Sequence, residues 1–166
     1  EAEFKPAPDG LAHAADLVAL IKSRHPDICC GVAGYPETHP EAASRAADLR
    51  HLKDKVAAGA DFITTQLFFE NHLYFAFVDE CRAAGIRVPV LPGLLPAVSL
   101  SQARRTVALC RAAIPPALVQ RLEVAGDDAD AARRAGIEWL VAQIDGLVAR
   151  GAPGIHLYIL NQAKTI

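Results

Sequence analysis

The feature that most constrains the fold of this chain is a regular alternation of short apolar runs with longer amphipathic segments. The apolar runs predict four strands, at residues 28–35, 62–68, 88–91 and 155–160. Between them, apolar residues recur at the spacing of three and four that is typical of helices. Strands that alternate with helices in this way indicate βαβ crossovers, and therefore an α/β fold with a parallel sheet.

The helical segments are predicted at residues 11–24, 42–58, 71–84 and 100–112, with a short helix opening at residues 115–116 and a long one after residue 128. Asp9 and Ser99 are candidate N-terminal caps, and Gly59, Gly85 and Gly151 mark helix ends. The first strand contains almost no polar residue, which predicts burial on both of its faces.

Two closures of such a sheet are compatible with the pattern, an open doubly wound sheet and a (βα)8 TIM barrel. Four strands cannot close a barrel, which needs about 250 residues. The Gly-rich motifs of dinucleotide and phosphate loops are absent from the sequence. If the architecture is a barrel, we expect the chain to carry about half of it.

Composition excludes several classes of protein. The 166 residues are 52% apolar and carry a net charge of -2, with scattered Lys and Arg, so neither disorder nor nucleic-acid binding is expected. No apolar run is long enough to span a membrane. The four cysteines form no CxxC pair and are expected to be small core residues in a reducing compartment such as the cytoplasm.

In parallel α/β folds, ligands bind at the carboxyl ends of the strands. The loop after the first predicted strand holds Tyr35, His39 and two glutamates, interspersed with two prolines, which would make a stiff platform for a planar, polar ligand. A metal site is an alternative, built from Glu37, His39 and Glu41 with His51 as a further candidate ligand, although this spacing is not a standard one. A plainer alternative is a helix start at which Glu41 complements the helix dipole.

The following helix places Asp48, His51 and Lys55 on one face, beside its apolar stripe. This polar stripe could line a site, or it could be an ordinary solvated face. Gln66 ends the second predicted strand, and its amide could contact a heterocycle or make a structural hydrogen bond. His156 and Tyr158 share a strand face, and packing in the core is the expected role for both. No nucleophile with a neighbouring base stands out, and we assign no catalytic residue.

Several long segments, in order, resemble the methylenetetrahydrofolate reductase family. They are residues 32–42 (VAGYPETHPEA), 48–53 (DLRHLK) with Lys55, 59–69 (GADFITTQLFF), 92–96 (PGLLP) and 156–161 (HLYILN). The resemblance implies a (βα)8 barrel that binds FAD at the carboxyl ends of its strands. It also implies reduction of methylenetetrahydrofolate to methyltetrahydrofolate by NADH or NADPH through the flavin, with the choice of nucleotide left open.

The resemblance also assigns roles to individual residues. It implies FAD contacts from the first helix, the loop and the second helix, and folate contacts from two glutamines, of which Gln66 also meets the nicotinamide nucleotide. The implied FAD contacts are Ala14, Tyr35, His39, Ala42, Asp48, His51 and Lys55, with Lys55 neutralising phosphate charge; the implied folate contacts are Gln66 and Gln102.

The chain departs from the family pattern in ways that bear on activity. Nothing in it matches the family's general-acid glutamate or the aspartate near the flavin pyrimidine, and Gln162 stands where the family often has a basic residue. We therefore expect residues 1–166 to be the C-terminal half of one barrel domain, without the final helix, and to be inactive alone. Open strand edges would favour self-association, so a homo-oligomer is compatible with this interpretation. The alternatives are another barrel lyase or isomerase, or an inactive half-barrel scaffold.

Overall fold

A computed structural model of the chain describes residues 7–159. Helices and strands alternate along the first part of the sequence and all described strand pairs are parallel, which confirms the predicted α/β class. The helices are α1 Ala14–Arg24, α2 Arg45–Ala57, α3 Asn71–Ala83, α4 Leu100–Cys110, α5 Pro116–Val124 and α6 Ala129–Ala149, and the strands are β1 Gly31–Gly34, β2 Phe62–Thr65, β3 Val90–Leu91, β4 Gly93–Leu94 and β5 His156–Leu157.

All strand pairs among these residues are parallel, and neighbours in the sheet follow the order of the chain. β1 pairs with β2, which pairs with β3, whereas β4 pairs with β5. Pro92 separates β3 from β4 and has no N–H to give to a ladder. Its carbonyl accepts a hydrogen bond from the His156 N–H at 3.0 Å. β3 and β4 are thus two parts of one interrupted strand, the first facing β2 and the second facing β5.

Helices cover only one face of this sheet among the described residues. Ile63 and Val90 point into the main core, where they join Phe77 and Cys81 of α3. On the opposite face, alternate residues of β1 are exposed. The prediction that the first strand is buried on both faces is therefore wrong. Both faces are apolar, but no described element covers the second one.

A second apolar cluster joins α4, α5 and α6 to the segments that follow β2 and β4. Leu118 and Ala103 are fully buried in it, beside Phe69 and Leu95. Gly136 of α6 lies so close to the chain after β4 that a Cβ there would stand 2.0 Å from the Ala97 carbonyl oxygen. This packing holds α4 and α5 at the carboxyl end of the sheet.

Several element boundaries differ from the predicted ones. α1 begins at Ala14 with His13, not Asp9, at its N-cap position, where the His13 N–H donates to Asp16 Oδ2 at 2.9 Å. The Ser99 cap is confirmed, since its side chain accepts from the Gln102 N–H. Gly59 ends α2 with a φ of 114°, which a residue with a side chain rarely adopts. Each predicted strand is shorter than expected, and the last predicted strand ends at residue 160, outside the described residues.

The cysteines are only partly where the sequence placed them. Cys30 and Cys81 are buried and Cys110 is half-buried, but Cys29 is exposed, so the prediction that it is a core residue is wrong. All four thiols are free. Within residues 7–159, no helix is both long and apolar enough to cross a membrane.

Candidate functional site

The strand register brings the ends of β1 and β2 together. Gly34 pairs with Thr65, so the next residues, Tyr35 and Gln66, follow side by side at the carboxyl rim of the sheet. The Gln66 N–H donates to the Gly34 carbonyl at 2.7 Å. Because side chains alternate along strands, Tyr35 and Gln66 continue the open face of the sheet. This rim is where parallel α/β folds bind ligands.

A cleft of about 520 Å³ runs beside β1 and ends at this rim. Volumes of this order are typical of small-molecule sites. α1 and the first part of β1 give it apolar walls, and its rim end carries an aromatic ring, an imidazole and an ammonium group. The lining residues that the sequence had singled out are Ala14, Tyr35, His39 and Lys55.

Asp48 shapes the loop at the end of this cleft. Its Oδ2 accepts a hydrogen bond from the His39 N–H at 3.0 Å, and the His39 Nδ1 accepts from the Glu41 N–H at 3.1 Å. The His39 ring meets the Tyr35 ring edge-on, with centroids 4.5 Å apart. The Ala42 N–H donates to the His39 carbonyl at 3.0 Å. Asp48 and Ala42 therefore hold the loop in shape, and they are not on the cleft wall.

Lys55 is the cation of the cleft. Its Nζ donates a 2.6 Å hydrogen bond to the carbonyl of Ala33. Burial lowers the pKa of Lys55, and the nearby Asp48 carboxylate opposes that shift. His51, the third residue of the predicted polar stripe, is exposed and is not part of the cleft lining.

The two glutamines lie outside this cleft. The Gln66 side chain lines a separate, much smaller cavity that Tyr35 also lines, and its Oε1 accepts from the Leu67 N–H at 2.9 Å. The Nε2 of Gln102 contacts the Pro96 carbonyl at 3.5 Å. Its Oε1 is buried without a hydrogen-bond partner among the residues that the structure describes. Such an acceptor is costly unless a ligand or water completes it.

Three further residues at the rim are not among the flavin and folate contacts that the resemblance implies. The Tyr158 hydroxyl donates to the Thr65 carbonyl at 2.9 Å, and burial raises its pKa. The sequence predicts that Tyr158 lies in the last strand, but it does not predict that the Tyr158 hydroxyl contacts the backbone of β2. Glu37 and Arg111 join the β1–α2 loop to the chain after α4, through contacts to backbone groups that leave no pattern in the sequence. His156 is exposed, so the expectation that it packs in the core is wrong.

The alternative of a metal site finds no geometric support in the described part of the chain. Between residues 7 and 159, no three His, Cys, Asp or Glu side chains converge as metal ligands do. The Glu37 carboxylate instead accepts hydrogen bonds from the Ala113 N–H, at 3.0 and 3.3 Å.

Comparison with known proteins gives a consistent result. The sequence profile described as "Methylenetetrahydrofolate reductase" matches residues 1–166. The chain is 39% identical to the 5,10-methylenetetrahydrofolate reductase of Escherichia coli over 152 residues, which cover 92% of this chain and 51% of that protein. It is 36% identical to methylenetetrahydrofolate reductase (NADH) 1 of Arabidopsis thaliana, over 98% of this chain and 29% of that protein.

A solved structure shares the fold. It is a Clostridium thermocellum protein described as binding two copies of 5-methyl-5,6,7,8-tetrahydrofolic acid, with a TM-score of 0.60 and 17% identity, and the match covers 92% of this chain and 54% of the other. The chain thus spans about half the length of the bacterial relative and under a third of the plant relative.

Proposed function

The chain belongs to the methylenetetrahydrofolate reductase family, and on that basis we propose that it forms part of an enzyme that reduces 5,10-methylenetetrahydrofolate to 5-methyltetrahydrofolate with NADH or NADPH. The observation that carries this proposal is the position of Tyr35 and Gln66 at one carboxyl rim, next to a cleft lined by His39 and Lys55. These residues all lie in segments that resemble the family.

We further propose that the parent fold is a (βα)8 barrel of which this chain supplies about the last four strands. Strands that neighbour each other in chain order are typical of barrels, whereas a doubly wound sheet reverses its order. The exposed face of β1 and its unpaired edge would be covered by strands of the other half. The match to 51% of the bacterial relative is the length expected of such a half.

The cleft fits part of a flavin nucleotide. Tyr35 and His39 offer aromatic surface to a planar ring system, and Lys55 offers a positive charge for a phosphate. Asp48 and Ala42 would act through the loop, by fixing where His39 lies. His51 would need a ligand that extends beyond the cleft. FAD bound here would supply the redox chemistry, by taking a hydride from the nicotinamide nucleotide and passing it to the folate.

Gln66 and Gln102 are the proposed folate contacts. A pterin ring presents N–H donors and ring-nitrogen acceptors, and an amide side chain can pair with both. The unpartnered Oε1 of Gln102 is a buried acceptor of the kind that such a donor would satisfy. No residue among 7–159 is assigned a role in proton transfer. We propose that the proton comes from another part of the complete enzyme.

The experiment that tests the proposed function is steady-state turnover by the complete gene product. Oxidation of NADH or NADPH should depend on added 5,10-methylenetetrahydrofolate and should yield 5-methyltetrahydrofolate. A purified, folded protein that oxidises neither nucleotide in a folate-dependent manner would contradict the proposal.

A further inference from the structure

The chain between α4 and α5 crosses the carboxyl rim and contacts the β1–α2 loop. α4 ends at Cys110, and Arg111 adopts a left-handed backbone conformation with a φ of 56°. Residues 111–114, here called the strap, then run to the start of α5 without regular secondary structure. The strap therefore connects α4 to α5 and lies next to the proposed site.

Two polar contacts fasten the strap to the β1–α2 loop. The Ala113 N–H donates to the Glu37 carboxylate at 3.0 Å, and the Arg111 guanidinium donates to the Pro40 carbonyl at 3.0 Å. The paired residues are more than 70 positions apart in the sequence. Both contacts lie at atoms near solvent, where hydrogen bonds are easily exchanged for water.

The strap lies beside the Gln66 side chain. Ala112 of the strap and Cys110, the last residue of α4, line the same small cavity as Gln66 and Tyr35. Its volume is about 10 Å³, barely enough for one water molecule. A ring system that hydrogen-bonds the Gln66 amide inside this cavity therefore needs the strap to move.

The closed arrangement also carries backbone strain on both of its sides. Thr38, in the loop, has a φ of 89°, and Arg111, in the strap, has a φ of 56°. Left-handed backbone is unfavourable for residues with a side chain, above all for a β-branched one such as threonine. Conformations of this kind carry an energetic cost and persist only where the surrounding contacts hold them.

We propose that residues 111–114 are a lid over Gln66, and that Glu37 and Arg111 are positioning residues that keep it closed until a ligand enters. The identity of that ligand as a folate rests on the proposed function. The lid itself rests on the contacts and the cavity alone.

Cys110 is a natural reporter of the lid, because it is half-buried, directly precedes the strap and lines the same cavity as Ala112, while Cys29 is exposed. We would alkylate the complete gene product with iodoacetamide and follow each cysteine by peptide mass spectrometry. Glu37→Ala removes the acceptor of the Ala113 N–H and should speed alkylation of Cys110 roughly tenfold, as expected for loss of one hydrogen bond to a charged group. Glu37→Gln keeps an acceptor and should stay near the wild-type rate.

Two controls separate the lid from general loosening. Glu41→Ala removes an exposed carboxylate of the same loop and should leave the Cys110 rate unchanged. Cys81 is fully buried, and its burial raises its pKa to about 11, so it should stay unmodified in every variant unless the fold opens. An unchanged Cys110 rate in Glu37→Ala, or faster labelling of Cys81 in parallel with Cys110, would overturn the lid.

A second experiment measures binding of 5-methyltetrahydrofolate to the same proteins. Because entry of a ring needs the strap to move, Glu37→Ala should bind the ligand faster than the wild type does while retaining the same flavin content. Faster Cys110 labelling with an unchanged association rate would overturn the role of the strap at this site. A protein that does not bind this folate at all contradicts the proposed function, and the labelling comparison without ligand then still decides the lid.

Discussion

The Lys55 ammonium donates a 2.6 Å hydrogen bond to the Ala33 carbonyl, on the edge of β1 that no strand among residues 7–159 covers. A lysine on an open edge is a common way to discourage unwanted strand pairing. In a closed barrel, a neighbouring strand would supply the partner of that carbonyl. Lys55 would then be free to face the cleft, where its charge is available to a phosphate.

This relationship leads to a prediction about cofactor retention. In the complete gene product, Lys55→Met keeps the apolar stem but removes the charge, and it should raise the dissociation constant of FAD by about 10- to 100-fold, as for loss of a charge-assisted hydrogen bond. Flavin fluorescence on dilution measures this release. Lys53→Met, at an exposed position of the same helix, is the matched control. Equal retention by the Lys55 variant and the wild type would count against a phosphate contact.

Gln66 should matter more for folate than for flavin. Gln66→Ala removes the rim amide beside Tyr35, while the flavin cleft has no wall from this residue. We expect folate-dependent turnover to fall by about 10- to 100-fold, the usual effect of losing a polar substrate contact, with flavin content unchanged. Absorbance of the purified protein and steady-state kinetics give the two values. Parallel loss of both would show that Gln66 is structural.

The pKa of Glu37 predicts how stability changes with pH. Burial raises this pKa, the Ala113 hydrogen bond opposes the shift, and the nearby Glu70 and His72 add smaller effects of opposite sign. A raised carboxyl pKa means that the folded state binds the proton more tightly, so this contribution to stability falls as pH rises through the folded pKa.

Glu37→Gln removes that dependence. The variant should be at least as stable as the wild type at pH 7, and the difference should shrink as the pH is lowered through the Glu37 pKa. Urea denaturation at several pH values measures it. A variant that is less stable at pH 7, with a gap that widens toward neutral pH, would contradict the assigned shift.

Two glycines of α6 offer a matched test of packing at the rim. A Cβ at Gly136 would meet the Ala97 backbone at 2.0 Å, whereas one at Gly146 would meet the side-chain amide of Asn71 at 2.7 Å. Backbone cannot yield as a side chain can, so Gly136→Ala should destabilise the protein by about 1–3 kcal/mol despite the better helix propensity of alanine. Gly146→Ala should cost clearly less. Similar melting temperatures for both variants would show that α6 does not press on this segment.

The sequence predicted the parts of the site that depend on local pattern. Apolar runs between helices predicted the parallel sheet. Because ligands bind at the carboxyl ends of such strands, the sequence also indicated Tyr35 and Gln66, and the strand register places these two residues side by side. Helical periodicity put Asp48 and Lys55 on one face of α2. It did not separate Lys55, which lines the cleft, from His51, which is exposed.

Other features depend on long-range packing that local pattern does not encode. The contact between Glu37 and Ala113 uses a backbone N–H, which any residue but proline offers. The exposure of Cys29 depends on whether an element covers that face of β1, and its apolar neighbours suggested that one does. β4 is two residues long and follows a proline, so periodicity could not reveal it.

The most direct measurement of the central claim is an anaerobic half-reaction of the complete gene product. The protein should purify with bound flavin, which NADH or NADPH bleaches, and addition of 5,10-methylenetetrahydrofolate should restore the flavin absorbance in the wild type and far more slowly in Gln66→Ala. A folded protein without flavin, or a reduced flavin that the folate leaves unoxidised, would contradict the account.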